Sequence, residues 1–161
     1  MGSIKQDMFS SISQIGVVVR DMGRFAKNME ALIGAKPLNI IEFPNASMKN
    51  HERYYYGNEA DFIALLGFFK IGNLEIEAIQ PLSGKNIWTD FLDEKGEGIH
   101  HIRFSVDNLK KTEKHLKKMG IEKAQNGYST RNIDGLQWAY YDTRKELGFF
   151  IEVFNEYESK K

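Results

Sequence analysis

Apolar residues along the chain fall into short alternating runs, each followed by a stretch of helical spacing. Ile15, Val17 and Val19 alternate with Gln14, Gly16 and Val18, and Ile102, Phe104 and Val106 alternate with His101, Arg103 and Ser105. A period of two is that of a strand with one buried face. Each run leads to a residue suited to cap a helix, Asp21 or Asn108. Apolar positions at helical intervals follow: Met22, Phe25, Met29 and Leu32 in one case, Leu109, Thr112, Leu116 and Met119 in the other. A glycine, Gly34 or Gly120, then stands where a left-handed residue ends such a helix.

These stretches are two copies of one unit. Ile12 to Val19 aligns with Ile99 to Val106 without a gap, and Leu74 to Ile79 matches Phe149 to Phe154 with a glutamate at the same place, Glu77 and Glu152. Between helix and last strand each copy has room for two more strands: Leu38 to Phe43 and Ala60 to Lys70 in the first, Glu122 to Gly127 and Gln137 to Tyr141 in the second. The order βαβββ therefore occurs twice and predicts an α+β fold. Module one covers about 11–82, a linker with a short helix from Ile87 to Glu94 covers about 83–97, and module two covers about 98–155, all within a single domain spanning 1–161.

Strand parity sorts the polar residues. With Ile15, Val17, Val19 and Ile102, Phe104, Val106 facing the helices, Gln14 and His101 fall on the opposite face, and His100 is predicted to turn away into the helix layer. Glu77 and Glu152 likewise lie opposite Ile76, Ala78 and Ile151, Val153. A carboxylate buried on a sheet is costly unless a cation or hydrogen bonds compensate it. Arg103 or Lys70 could pair with either one, whereas a divalent ion would compensate both together.

Composition narrows the partners. The 161 residues carry 22 Lys+Arg against 22 Asp+Glu, which leaves no field of one sign to hold nucleic acid or anionic lipid. Absence of cysteine excludes thiolate ligands and cysteine nucleophiles. The early apolar run from Ile15 to Val19 is far shorter than a signal-peptide core or a membrane span, so a cytoplasmic protein is expected, and a homodimer is left open. The lysines Lys110, Lys111, Lys114, Lys117 and Lys118 read as the solvated face of the second helix.

The segments Gly96-Glu97-Gly98-Ile99-His100-His101-Ile102, Val106-Asp107-Asn108-Leu109 and Ile71 to Leu82 resemble the vicinal oxygen chelate superfamily, which includes glyoxalase I, methylmalonyl-CoA epimerase, extradiol dioxygenases and bleomycin-resistance proteins. The resemblance implies two βαβββ modules forming a mixed, U-shaped, eight-stranded sheet with helices on its outer face and one divalent ion on the concave side. It implies the ligands Gln14, Glu77, His101 and Glu152. The surrounding sequence is most similar to methylmalonyl-CoA epimerases, whereas glutamine at position 14 resembles the zinc-type glyoxalase I set. Three oxygen donors and one imidazole suit Zn, Ni, Co or Mn.

The implied activity is that of a lyase or isomerase of glyoxalase I type, moving a proton next to a carbonyl of a hemithioacetal or thioester. Glu152 would be the base, and Glu77 would return the proton. The alternatives are a methylmalonyl-CoA epimerase-like enzyme and a non-catalytic small-molecule-binding protein of bleomycin-resistance type. A dioxygenase is disfavoured because only His101 provides imidazole. Trp138, Phe150 and Arg131, the last in the loop Ser129-Thr130-Arg131-Asn132, are the expected substrate contacts.

Overall fold

The computed structural model describes residues 8–131 and 135–154; Asn132 and the ends of the spans drawn above, 1–7 and 155–161, lie outside the described residues. The first copy runs β1 (Phe9–Val18), α1 (Met22–Ile33), β2 (Asn39–Phe43), β3 (Arg53–Tyr55), β4 (Asn58–Glu59), β5 (Ile63–Ile71) and β6 (Leu74–Ser83). After α2 (Ile87–Lys95) the second runs β7 (Gly98–Val106), α3 (Leu109–Lys118), β8 (Lys123–Tyr128), β9 (Gln137–Tyr141), α4 (Arg144–Leu147) and β10 (Phe150–Phe154). Asp21 accepts a hydrogen bond from the Arg24 amide and Asn108 from that of Lys111, both 2.9 Å, so each helix starts at its expected cap. Gly34 and Gly120 take left-handed backbone at the far ends, with φ of 74° and 77°.

The fold is α+β, and its strands form one mixed sheet in the order β2-β5-β6-β1-β7-β10-β9-β8-β3-β4. The central pair β1 and β7 is antiparallel, while β1–β6 and β7–β10 are parallel. Register bears out the repeat. Gln14 pairs with Arg103 and Gly16 with His101, and exchanging the copies turns the first pair into the second. Glu77 lies beside Gly16 as Glu152 lies beside Arg103. A pseudo-twofold axis thus runs between β1 and β7.

Helices α1 and α3 cover the outer face. Val17, Val19, Phe69 and Ala78 pack under α1, and Val106, Ala139, Ile151 and Val153 under α3. The other face is concave, and the sheet curls enough for Phe43 on β2 to meet Trp138 on β9 at 5.7 Å between ring centroids. Helix α2 departs from the expected outer placement: Ile87, Trp88 and Leu92 are buried on the concave side with Val18, Tyr140 and Phe150. Among the described residues no helix is long and apolar enough to cross a membrane.

The sheet has ten strands rather than eight because the segment between β2 and β5 crosses the open side of the U. It buries Met48 and Phe62 in the concave core and pairs β3 with β8 of the second copy. Locally this three-residue strand pairs only with the two-residue β4, and its longer register is the one against β8. Buried Arg53 ties the crossing down, donating from Nε to the Phe62 carbonyl at 2.9 Å and from Nη1 to that of His51 at 2.7 Å.

Replacing Arg53 by Met keeps an aliphatic stem but removes both bonds and the guanidinium over the Phe62 ring. The expected cost is about 1–3 kcal/mol, read as a lower urea midpoint. Faster exchange of the Tyr56 amide, which donates to Ala124 at 2.7 Å across the same junction, should accompany it.

Candidate metal centre

Four side chains converge at the middle of the concave face. The His101 imidazole is fully buried, with Nε2 3.1 Å from Glu152 Oε2, 3.4 Å from Glu77 Oε2 and 3.5 Å from Gln14 Oε1. The donor atoms of Glu77, His101 and Glu152 all lie within 4.8 Å of one another. Parity explains the convergence, since β1, β6, β7 and β10 are adjacent and each directs one of these residues to the concave side. Donors around one first-row ion with bonds of about 2.1 Å stand about 3.0–3.4 Å apart, which is close to the spacing found here.

Two neighbours hold the donors in place. Gly16 faces His101 across β1–β7, and a Cβ on Gly16 would come within 1.8 Å of imidazole Cε1, so the ring occupies the space a side chain would fill. Gln14 donates from Nε2 to Glu75 Oε1 at 2.7 Å, which turns the amide oxygen toward His101. Neither Glu75 nor Gly16 is chemically conspicuous in the sequence. Only an odd second acidic residue two places before Glu77, and a glycine within a strand, could have signalled them.

His100 corrects one expectation. It is the extra residue of a β-bulge, because Gly16 pairs with His101 and Val17 already with Ile99. The bulge swings it out of strict alternation, so that it packs behind the site rather than among the outer helices. Its ring stacks on Phe150 at 4.5 Å and meets Phe91 of α2 at 5.1 Å. Its Nδ1 lies 3.1 Å from His101 Nδ1. Burial, then the charge of His101, holds His100 well below the ordinary histidine value. A neutral His100 can accept the Nδ1 proton of His101 and leave Nε2 facing the carboxylates.

The site's electrostatics are unbalanced. Burial raises Glu77, opposed by the approach of His101 and reinforced by the charge of Glu152. His101 is pulled down by burial, yet Glu152 and Glu77 together outweigh that and hold it up to about 9. Glu77 Oε2 and Glu152 Oε2 approach His101 without a hydrogen bond of proper geometry and are buried without any other partner. Arg103 forms no ion pair with either carboxylate among the described residues, although its charge lowers Glu77, and Lys70 forms no ion pair there either.

A family model for the Glyoxalase/Bleomycin resistance protein/Dioxygenase superfamily matches residues 13–140. The chain belongs to that superfamily. It is 23% identical over 111 residues to the mitochondrial methylmalonyl-CoA epimerase of Mus musculus, covering 68% of this chain and 53% of that one. It is 26% identical over 88 residues to the uncharacterized protein YqjC of Bacillus subtilis (strain 168), covering 55% and 62%. The chain thus spans roughly half to three fifths of the length of these curated relatives. Among solved structures, methylmalonyl-CoA epimerase from Mycobacterium tuberculosis shares the fold with a TM-score of 0.66 at 15% identity, covering 95% of this chain and 92% of that one. A hypothetical protein from Bacillus halodurans C-125 does so with a TM-score of 0.66 at 21% identity, covering 89% and 92%.

In this superfamily member the residues present fit a divalent ion. Two orphaned carboxylate oxygens, one imidazole nitrogen and an amide oxygen face one point, and a cation there would satisfy the groups that the protein leaves unpaired. A cavity of ≈ 210 Å³ opens onto it, lined by Glu75, Glu77, Arg103 and Glu152 with Phe43, Phe68, Trp88, Trp138, Tyr140 and Phe154 among its apolar walls. Of the expected substrate contacts, Trp138 and Arg131 line this cavity. Phe150 does not, being sandwiched between His100 and the Arg144 guanidinium. Phe154, four residues along β10, takes the wall position instead.

Gly16→Ala should displace the imidazole and weaken divalent-ion binding about 100-fold or more while the protein stays folded, as measured by calorimetry and circular dichroism. The pH dependence follows from His101, which must lose its proton to ligate an ion. Metal uptake at pH 7 should release protons, and affinity should rise about tenfold per pH unit toward pH 9, then level off. Titrations in buffers of different ionisation enthalpy measure the proton count; a pH-independent affinity would show that His101 is not a ligand.

Proposed function

We propose that the chain is a divalent-metal-dependent enzyme that moves a proton on the carbon next to a carbonyl, with Gln14, Glu77, His101 and Glu152 holding the ion. The observation that carries this reading is the pair Glu77 and Glu152, related by the pseudo-twofold axis and each with an unpartnered buried oxygen beside the cavity. When bound, the ion supplies Lewis-acid stabilisation of the negative charge that develops on the substrate oxygen.

The chain's own groups do the proton work. Glu152 takes the proton from the substrate carbon, and Glu77, on the opposite side of the site, delivers one to it. Carboxylates suit this because burial raises the affinity of Glu77 for a proton toward what a working acid-base group needs. The aromatic walls, with Tyr140 only 2% exposed, keep water from competing. Burial, then the charges of Glu152 and Glu77, keeps Tyr140 protonated, so its hydroxyl serves as a hydrogen-bond donor rather than a base.

Two substrate classes fit this chemistry. Inversion at the carbon next to a CoA thioester, as in methylmalonyl-CoA epimerase, uses two bases on opposite faces and is favoured by the relatives and structural neighbours. Isomerisation of a hemithioacetal, as in glyoxalase I, is favoured by glutamine at position 14. Deuterium exchange into methylmalonyl-CoA and product formation from the methylglyoxal hemithioacetals of common thiols, run on one metal-loaded preparation, separate them. Glu152→Gln should lower the active reaction by ~10²–10⁴-fold while the ion is still bound. Near-normal turnover in that variant would remove Glu152 from the role of base. Ligand binding indifferent to metal, with neither reaction, would make this a binding protein.

A further inference from the structure

Arg103 is 6% exposed and stands beside the proposed centre, its Cα opposite both Gln14 and Glu152. Nε donates to Ser13 Oγ at 2.9 Å, and the guanidinium lies over the Phe154 ring at 4.6 Å. Beyond these, no described residue accepts from its terminal nitrogens, and the side chain lines the cavity. A buried guanidinium held in place at one edge and stacked on one face, yet unpaired at its fork, is a cation waiting for an anion.

We infer that Arg103 is a specificity-determining residue that grips a carboxylate of the substrate, separate from the oxygens that would approach the ion. This rests on the proposed function and deepens it: the substrate carries an additional carboxylate near the reacting carbon. The planar fork matches a carboxylate with two parallel N–H···O bonds. A phosphate is disfavoured because Glu75, Glu77 and Glu152 line the same cavity, and a second negative charge would lie against them. The repeat adds a reason. Arg103 occupies the position that Gly16 occupies in the first copy, so the pseudo-twofold site is cationic on the Glu152 side alone. A carboxylate held there fixes which way round the substrate lies, and therefore which glutamate faces the departing proton.

The test uses Co(II)-loaded protein, with malate and 2-hydroxybutyrate as probes of similar length that share one chelating 2-hydroxy acid and differ by one carboxylate. Calorimetry should show malate bound about 10- to 100-fold tighter. Arg103→Met should erase that ratio and leave cobalt stoichiometry and 2-hydroxybutyrate affinity unchanged; Arg103→Lys should keep part of it. If Arg103→Met fails to fold, Ser13→Ala, which unties Nε while keeping the cation, should reduce the ratio several-fold.

Equal affinity for the two probes, a ratio that survives Arg103→Met, or tighter binding of 2-hydroxy-3-phosphonopropionate than of malate would each overturn the inference. Its failure is distinct from failure of the metal reading. Cobalt bound with no malate preference removes Arg103 alone, whereas an Arg103-dependent malate preference in protein that takes up no cobalt removes the metal and keeps the carboxylate grip.

Discussion

Two carboxylates are buried on either side of one imidazole, and the surrounding sheet is arranged around that placement. Glu77 and Glu152 are 7% and 3% exposed, and repulsion between them is only partly offset by a single protonatable ring. Such a cluster is expensive in a closed core unless something positive shares it. The neighbouring residues all serve its geometry. Gly16 gives up its side chain so that His101 can lie flat over the strand, Glu75 orients the Gln14 amide, and His100 backs His101 from behind.

The crossing segment between β2 and β5 sets the environment of that cluster. By pairing β3 with β8 it links the first copy to the outer strand of the second, and its Met48 and Phe62 complete a core that runs through Phe43, Trp88, Trp138 and Tyr140. This apolar layer borders the cavity that opens onto the carboxylates. Low polarity there strengthens any interaction between the centre and a bound molecule, and it accounts for the raised Glu77 and Tyr140. Helix α2 contributes from the same side, with Trp88 meeting Tyr140 edge-on at 6.0 Å.

Symmetry and its breaking divide the labour within the site. The duplicated unit provides equivalent glutamates and a shared backbone frame, which is why one register relates Gly16–Glu77 to Arg103–Glu152. The copies then diverge at two positions only one pleat apart. Gln14 stands where the second copy has His101, so the donor set is mixed, and Gly16 stands where it has Arg103, so one copy has room where the other has charge. Function in such a frame depends on the unequal positions, because equal ones cannot tell one end of a molecule from the other.

Periodicity and spacing alone revealed the duplicated βαβββ order, both helix caps, both terminating glycines and the face occupied by Gln14, Glu77, His101 and Glu152. These features are local: alternation, capping and strand parity act between residues a few positions apart, so they leave a mark on the chain itself. The tertiary structure decided the rest. The β3–β4 hairpin forms only against β8, the concave position of α2 depends on a core assembled from both copies, and the His100 bulge exists only in the register of β7 on β1. Phe150 lies behind the site and Phe154 on the cavity wall for the same reason, since which end of a strand is covered depends on what packs over it. That no described residue pairs with the fork of Arg103 was equally unreadable, because it is a property of the folded surroundings and no sequence pattern records it.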